Sequence, residues 1–315
     1  MVRIGFVILT HSCPDQIVRL VRTLNELYDG PPVVCHHDFG QCQLDRSQFP
    51  KNVTFVDPHF STFWGCFSII PATLAAMRTM MEQANPPDWI YLLSGSDYPA
   101  ISPDRVLDML SHTRFDAFID HREIIYSKRV RRADPDGATG FSRSSYQALA
   151  YRRYCAISVP RPARSKPWAF PPVGHSYLYH PYWRSLLPGP FSPAFRCYAG
   201  EHWFTVSSKA VAVLLQDSRQ SRRLLKYLSK RESPEECFYH SSLGNAQLNL
   251  SSNNLRYVHW PAPHAWHPST LSLDHLAAIR DSGAHFVRKV EYDSLLSGEL
   301  DRIAGISHTS FATRH

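Results

Sequence analysis

The chain has no apolar run long enough to cross a membrane. Its N-terminal stretch, MVRIGFVILTHS, holds about seven consecutive apolar residues where a span needs roughly twenty, and it lacks a small-residue cleavage site. The run reads as a first β-strand, and the expected location is the cytoplasm. Cysteine is neither plentiful nor patterned: seven residues from Cys13 to Cys237, an odd number with no C-x-x-C pair, exclude a disulfide framework and a zinc knuckle. Lysine is scarce, only seven of the 34 basic residues, and the arginines that make up the rest form no long run. A formal charge of +7 therefore suits an anionic small substrate or an acidic surface, and a tail that tracks nucleic acid is not expected. Internal repeats and low-complexity segments are missing too. With 43% hydrophobic and 19% charged residues, the 315-residue chain has the composition of a folded globular protein large enough to need no covalent staples.

What is present is alternation. Residues 3–9 form a continuous apolar run, after which Ile17, Leu20, Val21, Leu24 and Leu27 recur at helical spacing. Short apolar runs come next at 33–35 and 53–56, leading into His36-His37-Asp38 and Asp57. A long helical pattern covers 67–83, started or kinked by Pro71. Trp89-Ile90-Tyr91-Leu92-Leu93 then reads as a buried strand that breaks at Ser94-Gly95-Ser96-Asp97, and Ser102-Pro103-Asp104 as a capped helix start. Strands alternating with helices imply a mostly parallel sheet whose ligands sit at the carboxyl ends of the strands, which places His36, Asp38, Asp57 and Asp97 on one rim. A metal held by His36-His37-Asp38 is disfavoured, because adjacent strand residues face opposite ways.

From about 121 to 198 the texture changes. Residues 160–193 hold nine prolines among aromatics and arginines, which suits a packed loop on the acceptor side of a site better than a spacer. The one Asp-x-Asp, Asp134-Pro135-Asp136, has no strand leading into it and reads as a turn. Ser233-Pro234-Glu235-Glu236 taken alone reads as a helix N-terminus, a serine cap followed by proline and first-turn acids.

The ordered set LLSGSDYP, GEHWFTVSS, SPEECFYHSSLGN, NNLRYVHW, HPSTLSLDHL and FVRKV resembles glycosyltransferase family 14 over about residues 3–290. That family includes core-2/I-branching N-acetylglucosaminyltransferases, peptide O-xylosyltransferases and plant glucuronosyltransferases. The SPEE and HP-x-x-L features look closer to the xylosyl and glucuronosyl branch, and the missing anchor suggests a soluble, bacterial-type member. The resemblance implies an α/β, GT-A-like glycosyltransferase fold, a Rossmann-like mixed sheet flanked by helices. Residues 1–120 would form its nucleotide-sugar-binding half, 121–305 its acceptor-binding and catalytic half, and 306–315 a flexible tail. It also implies inverting transfer of xylose, glucuronic acid or N-acetylglucosamine from a UDP-sugar to a glycan, glycolipid or small glycoside, with no cofactor and no divalent metal.

By the same resemblance Arg256 and Lys289 neutralise the donor diphosphate, Glu236 is the general base and Glu235 the capping acid. His36 and Asp38 match an H-x-D that contacts the nucleoside, with Asp97 on the same rim. Fixed cations can stabilise the charge that a departing UDP develops much as a metal ion would, and an ionised glutamate can take the acceptor's proton. Where relatives of the xylosyl branch have G-S-D-W-F, this chain has Gly200-Glu201-His202-Trp203-Phe204. His202 is then a second base, an acceptor contact or a packed side chain, and the change argues against peptide-serine acceptors. Glu201, Trp203, Arg153 and Trp64 are candidate acceptor contacts. The rival readings are a glycoside hydrolase, which two acids would invite, and a basic polysaccharide- or nucleic-acid-binding module. Adjacent residues at a helix start point about 100° apart and do not flank one bond, which weighs against the hydrolase.

Overall fold

The computed structural model describes residues 2–125, 143–161, 174–178, 189–262, 267–291 and 293–306. The Asp134-Pro135-Asp136 turn, most of the proline-rich stretch and tail residues 307–315 lie outside the described residues.

The first half alternates as expected. Strand β1 (Ile4–Thr10) leads to α1 (Pro14–Tyr28), which starts on a proline with Asp15 in its first turn and buries Ile17, Leu20, Val21 and Leu24. Then come β2 (Val33–His37), β3 (Val53–Phe55) and α2 (Ile69–Met81). Pro71 lies in the first turn of α2, where a missing N–H breaks no helical bond, so it starts the helix without kinking it. Strands β4 (Trp89–Ser94) and β5 (Asp97–Pro99) precede α3 (Pro103–His112). Ser102 sits at the N-cap of α3 with extended backbone but makes no side-chain cap, which leaves the start to Pro103 and Asp104.

The second half is made of shorter pieces: β6 (Ala117–Phe118), β7 (Arg122–Glu123), α4 (Arg143–Tyr154), and the hairpin of β8 (Ile157–Arg161) with β9 (Gly174–Leu178). Strand β10 (Tyr198–Ala199) pairs with β7, and β11 (Thr205–Ser207) is followed by α5 (Ser208–Leu215), α6 (Arg219–Leu228) and α7 (Glu235–Gly244). The chain continues through β12 (Leu250–Ser251), β13 (Arg256–Val258), α8 (Leu276–Ser282), β14 (Phe286–Arg288) and α9 (Leu295–Ala304).

Seven strands form one sheet in the order β12-β6-β11-β4-β1-β2-β3. All neighbours pair parallel except β11, which runs antiparallel to both β4 and β6. Alternate residues of the central strands point to opposite faces. Val7, Val34, Ile90 and Leu92 join a core with α2, α5 and α7, whereas Phe6, Ile8, Tyr91 and Leu93 join a second core with α1, α9 and a smaller sheet, β13-β14-β5. The result is a mixed sheet flanked by helices, the GT-A-like α/β architecture expected. A buried network fastens the small sheet to the first helix. Arg19 donates to Asp301 Oδ2 at 2.8 Å, and Tyr98 donates to Asp301 Oδ1 at 2.7 Å while bonding Thr23 at 3.0 Å.

This topology defines the rim. Strands β1, β2 and β4 end there, and β6 and β12 deliver residues 119–122 and 252–255 beyond their carboxyl ends. Because β11 is reversed, the residues that precede it, Glu201 to Trp203, arrive at the same edge.

Candidate active site

The helix start at 233–236 carries the acid expected to act as base. Helix α7 begins at Glu235 and no side chain caps it, so the serine-cap reading gives way to a backbone turn: Ser233 adopts a left-handed φ of 43° and its N–H donates to the Gly65 carbonyl at 2.9 Å. The two acids then part. Glu235 turns inward, buried, with Oε2 lacking a partner, and burial followed by the charge of Glu236 pushes its carboxyl up to about 8. Glu236 keeps 30% of its side chain exposed, and Oε2 accepts from Arg153 Nη1 at 3.1 Å. Burial raises its pKa, Arg153 opposes that rise and Glu201 adds to it.

Across the rim, a second group forms around Glu201. Gly200 donates to the Glu236 carbonyl at 3.0 Å, which ties β10 to the first turn of α7. Glu201 accepts from Asn254 Nδ2 at 3.0 Å, its carbonyl accepts from His240 Nε2 at 3.0 Å, and its N–H reaches Asp120 Oδ2 at 3.3 Å. Burial, then the nearby Asp120, raises the Glu201 pKa. Asp120 is held in turn by Arg122, whose Nε and Nη2 lie 3.2 and 3.1 Å from its two oxygens.

The cationic wall is made by the end of β14 and the lysine next to it. The Arg288 guanidinium lies 4.3 Å from the Trp203 ring centroid, with Nε 3.7 Å from Asp97 Oδ1, and it donates no hydrogen bond among the described residues. Asp97, fully buried, accepts from the Ser94 N–H through its other oxygen. Lys289 is half-buried, its pKa lowered by burial and by Arg288. Burial, then the charge of Lys289, lowers the pKa of His267, and the His267 ring packs edge-on against the exposed Trp64 at 5.2 Å. Trp203, Arg288, Lys289, His267 and Trp64 thus succeed one another along one side.

Three of the expected site residues make their contacts within the protein. Arg256, assigned to the diphosphate, is buried inside the fold: its Nη atoms donate to the carbonyls of Leu92, Phe204, Asn254 and Leu255 at 3.1–3.4 Å and to Thr205 Oγ1 at 3.3 Å. Its guanidinium stacks 5.3 Å from Tyr91 and 5.2 Å from Phe286, and burial pulls its pKa down to about 10. These bonds tie Arg256 into the fold, whereas Arg288, which the FVRKV motif had already shown beside Lys289, is nearly buried but leaves its guanidinium without a hydrogen bond among the described residues. His202, half-buried, packs against the fold. Its ring stacks on Tyr239 at 5.7 Å and 9°, its Nε2 is buried without a partner, and burial lowers its pKa to about 3, which leaves it neutral. Arg153 lies against Glu236 rather than alone toward an acceptor.

His36 and Asp38 do stand at the rim, where they order the loop that carries Trp64. His36 Nε2 accepts from the Phe60 N–H at 2.9 Å. Asp38 accepts from Gly40 N, Gln41 Nε2 and Thr62 N at 3.0, 2.7 and 2.7 Å; burial works against its charge, but these donors hold its pKa below the usual range. His37 bonds Thr10 Oγ1 and the Cys42 carbonyl, so both adjacent imidazoles are engaged within the protein. The residues that sequence reasoning missed, Asp120, Arg122, Tyr154 and Asn254, lie on four different elements or loops and carried no shared spacing.

The sequence model of the Core-2/I-Branching enzyme family matches residues 33–291. Beta-glucuronosyltransferase GlcAT14B of Arabidopsis thaliana is 26% identical over 318 residues, covering 95% of this chain and 65% of that protein. Beta-glucuronosyltransferase GlcAT14A of the same plant is 26% identical over 243 residues, 74% of this chain and 46% of that one. Xylosyltransferase 1 of Rattus norvegicus is 23% identical over 269 residues, 82% and 28% respectively. The chain spans less than two-thirds of the length of each of these relatives. Among the described residues no helix is long and apolar enough to cross a membrane.

Proposed function

The chain belongs to the Core-2/I-Branching enzyme family, and from that premise we propose that it is an inverting, metal-independent glycosyltransferase that moves xylose, glucuronic acid or N-acetylglucosamine from a UDP-sugar to an acceptor hydroxyl. The observation that carries this reading is the separation of charge across one rim: a half-open carboxylate, Glu236, on one side and the cations Arg288 and Lys289 on the other. In the reaction the acceptor oxygen attacks the anomeric carbon from the face opposite the leaving group, Glu236 takes the hydroxyl proton, and the bond to the diphosphate oxygen breaks. The negative charge that then grows on UDP meets Arg288 and Lys289, fixed cations that stabilise it without a metal ion. Attack from the opposite face turns an α-linked donor into a β-linked product.

The names of the relatives support glucuronosyl or xylosyl transfer, and the chain's own acids, histidines and tryptophans at the rim suit a glycan, glycolipid or small glycoside acceptor. The hydrolase reading loses the Glu235–Glu236 pair it was built on, because Glu235 points into the core. The test measures UDP release from UDP-xylose, UDP-glucuronic acid and UDP-N-acetylglucosamine, with p-nitrophenyl glycosides as acceptors, in excess EDTA. Wild-type turnover is expected to persist, and Glu236→Gln to bind UDP normally while kcat falls about 10²–10⁴-fold. Turnover that disappears with EDTA and returns with Mn²⁺ sinks the metal-free reading. Near-normal kcat in Glu236→Gln sinks the base.

A further inference from the structure

We infer that Arg153 and Tyr154, the last two residues of α4, are positioning residues that fix the Glu236 carboxylate in one orientation and hold it ionised for proton transfer. The inference rests on Glu236 being the base. Arg153 and Tyr154 end a helix that is fastened to the turn before α7. Tyr154, fully buried, donates its hydroxyl to the Ser233 carbonyl at 2.8 Å and stands 3.5 Å from Glu236 Oε2. From the other side, Tyr227 donates to the Tyr154 carbonyl at 2.9 Å, and Arg231 donates to the carbonyls of Arg153 and Ala156 at 3.3 and 2.9 Å. Helix end and turn therefore move as one body, and the 3.1 Å ion pair between Arg153 and Glu236 spans them.

Both contacts converge on one oxygen. Oε2 meets the guanidinium and the phenol, whereas Oε1 makes no hydrogen bond among the described residues. A carboxylate held through one oxygen presents the other in a single direction, which is what a base aimed at an acceptor hydroxyl needs. Arg153 is itself poorly placed to reach an acceptor: its side chain is only 18% exposed, and its Nε lies 3.9 Å from Glu232 Oε2.

The charges around Glu236 show what the arginine opposes. Tyr146 and Tyr154 face it from α4, Glu201 from the segment before β11, and Glu235 from its own helix, with Glu232 on the far side of Arg153. Burial and Glu201 both favour the protonated acid, and the cation that offsets them is Arg153. Without it the main opposition to that rise is gone.

The experiment tracks kcat against pH, by UDP release from whichever of the three UDP-sugars the wild type turns over, for Arg153→Gln, Arg153→Lys and Tyr154→Phe. An opposite charge at this distance lowers a carboxyl pKa by about 1–3 units, so Arg153→Gln should carry the acidic limb of the profile upward by about that much and regain activity at alkaline pH. Arg153→Lys should restore most of the neutral activity, and Tyr154→Phe should move the limb the same way by less. An acidic limb that stays in place in Arg153→Gln while acceptor KM rises makes Arg153 an acceptor ligand and overturns the inference. Melting curves exclude unfolding as the cause, and Arg153→Lys supplies a folded variant with a cation at the same position. Glu236→Gln separates the two readings. If it collapses and Arg153→Gln leaves the limb unmoved, only the positioning role fails; if it turns over normally, the base assignment fails with it.

Discussion

Arg256 and Arg288 sit at the first residue of β13 and the last of β14, both nearly buried over aromatic rings, and differ in what their guanidinium groups bond. The Arg256 fork faces inward, where it donates to the carbonyls of Leu92 and Phe204, and its stack between Tyr91 and Phe286 removes it from solvent. Arg288 rests on Trp203 with no guanidinium hydrogen bond among the described residues, next to Lys289. A cation that already satisfies buried carbonyls cannot also track a leaving diphosphate, whereas one resting on an indole face can. Lys289→Ala should therefore weaken UDP about 10- to 150-fold while uridine binding changes little, because a charge-assisted hydrogen bond contributes about 1.5–3 kcal/mol and uridine lacks the diphosphate. Arg288→Ala should act in the same direction. Arg256→Ala should lower the melting temperature and leave the UDP-to-uridine ratio of the folded fraction unchanged. Calorimetry with both ligands and a thermal melt settle the three; equal losses of uridine and UDP in Lys289→Ala would remove it from the diphosphate site.

At the scale of elements, the site depends on how closely β10 can pass the end of β6. A Cβ built on Gly200 would lie 1.5 Å from the Asp120 carbonyl oxygen and 2.6 Å from its carbon, both backbone atoms that cannot swing aside. Only glycine lets the chain approach there, turn to donate its N–H to Glu236, and deliver Glu201 beside Asp120. Gly200→Ala should cost about 3–5 kcal/mol, at the severe end of single substitutions, and depress Glu236-dependent turnover in whatever remains folded. Melting within a degree or two of wild type would mean that the approach relaxes more easily than this packing implies. The same passage shows what local pattern could not reveal. Strands β1, β2 and β4 and helices α1 and α2 were legible because a run of buried residues, or a 3.6-residue repeat, is written within one segment. Strands β6, β7, β10 and β12 are two residues long and carry no period. Reversal of β11 is a property of sheet order, and it is this reversal that brings Glu201 and Trp203 to the rim shared with Asp38 and Asp97. Glu236, Lys289 and the adjacent Arg288 were readable through family motifs, whereas the pairing of Arg153 with Glu236 and the place of Asp120 beside Glu201 are set by topology.

For the molecule as a whole, buried ionisable groups predict how stability depends on pH. Burial lowers the imidazole pKa of His36 to about 4 and those of His202, His240 and His285 to about 3. A histidine in the unfolded chain titrates near 6.5, so between these values the unfolded state binds the extra protons. By linkage this contribution is complete above about pH 6.5 and is lost as pH falls through the folded values. Glu235 has the reverse sign. Its folded pKa is raised to about 8 against an ordinary value near 4.3, so the folded state holds the extra proton between them and its contribution declines as pH rises. Four histidines outweigh one glutamate on the acid side, and above about pH 6.5 the glutamate acts alone among these five. Stability measured by denaturant titration should therefore rise from acid, peak near pH 6.5 and decline toward pH 8 with a slope of up to about 1.4 kcal/mol per unit. Glu235→Gln removes the titrating carboxyl while keeping its shape, and should flatten the decline while leaving the acid limb as it was. A wild-type curve that keeps rising through pH 8, or a Glu235→Gln curve with the same alkaline slope, would show that the buried acid is not what sets it.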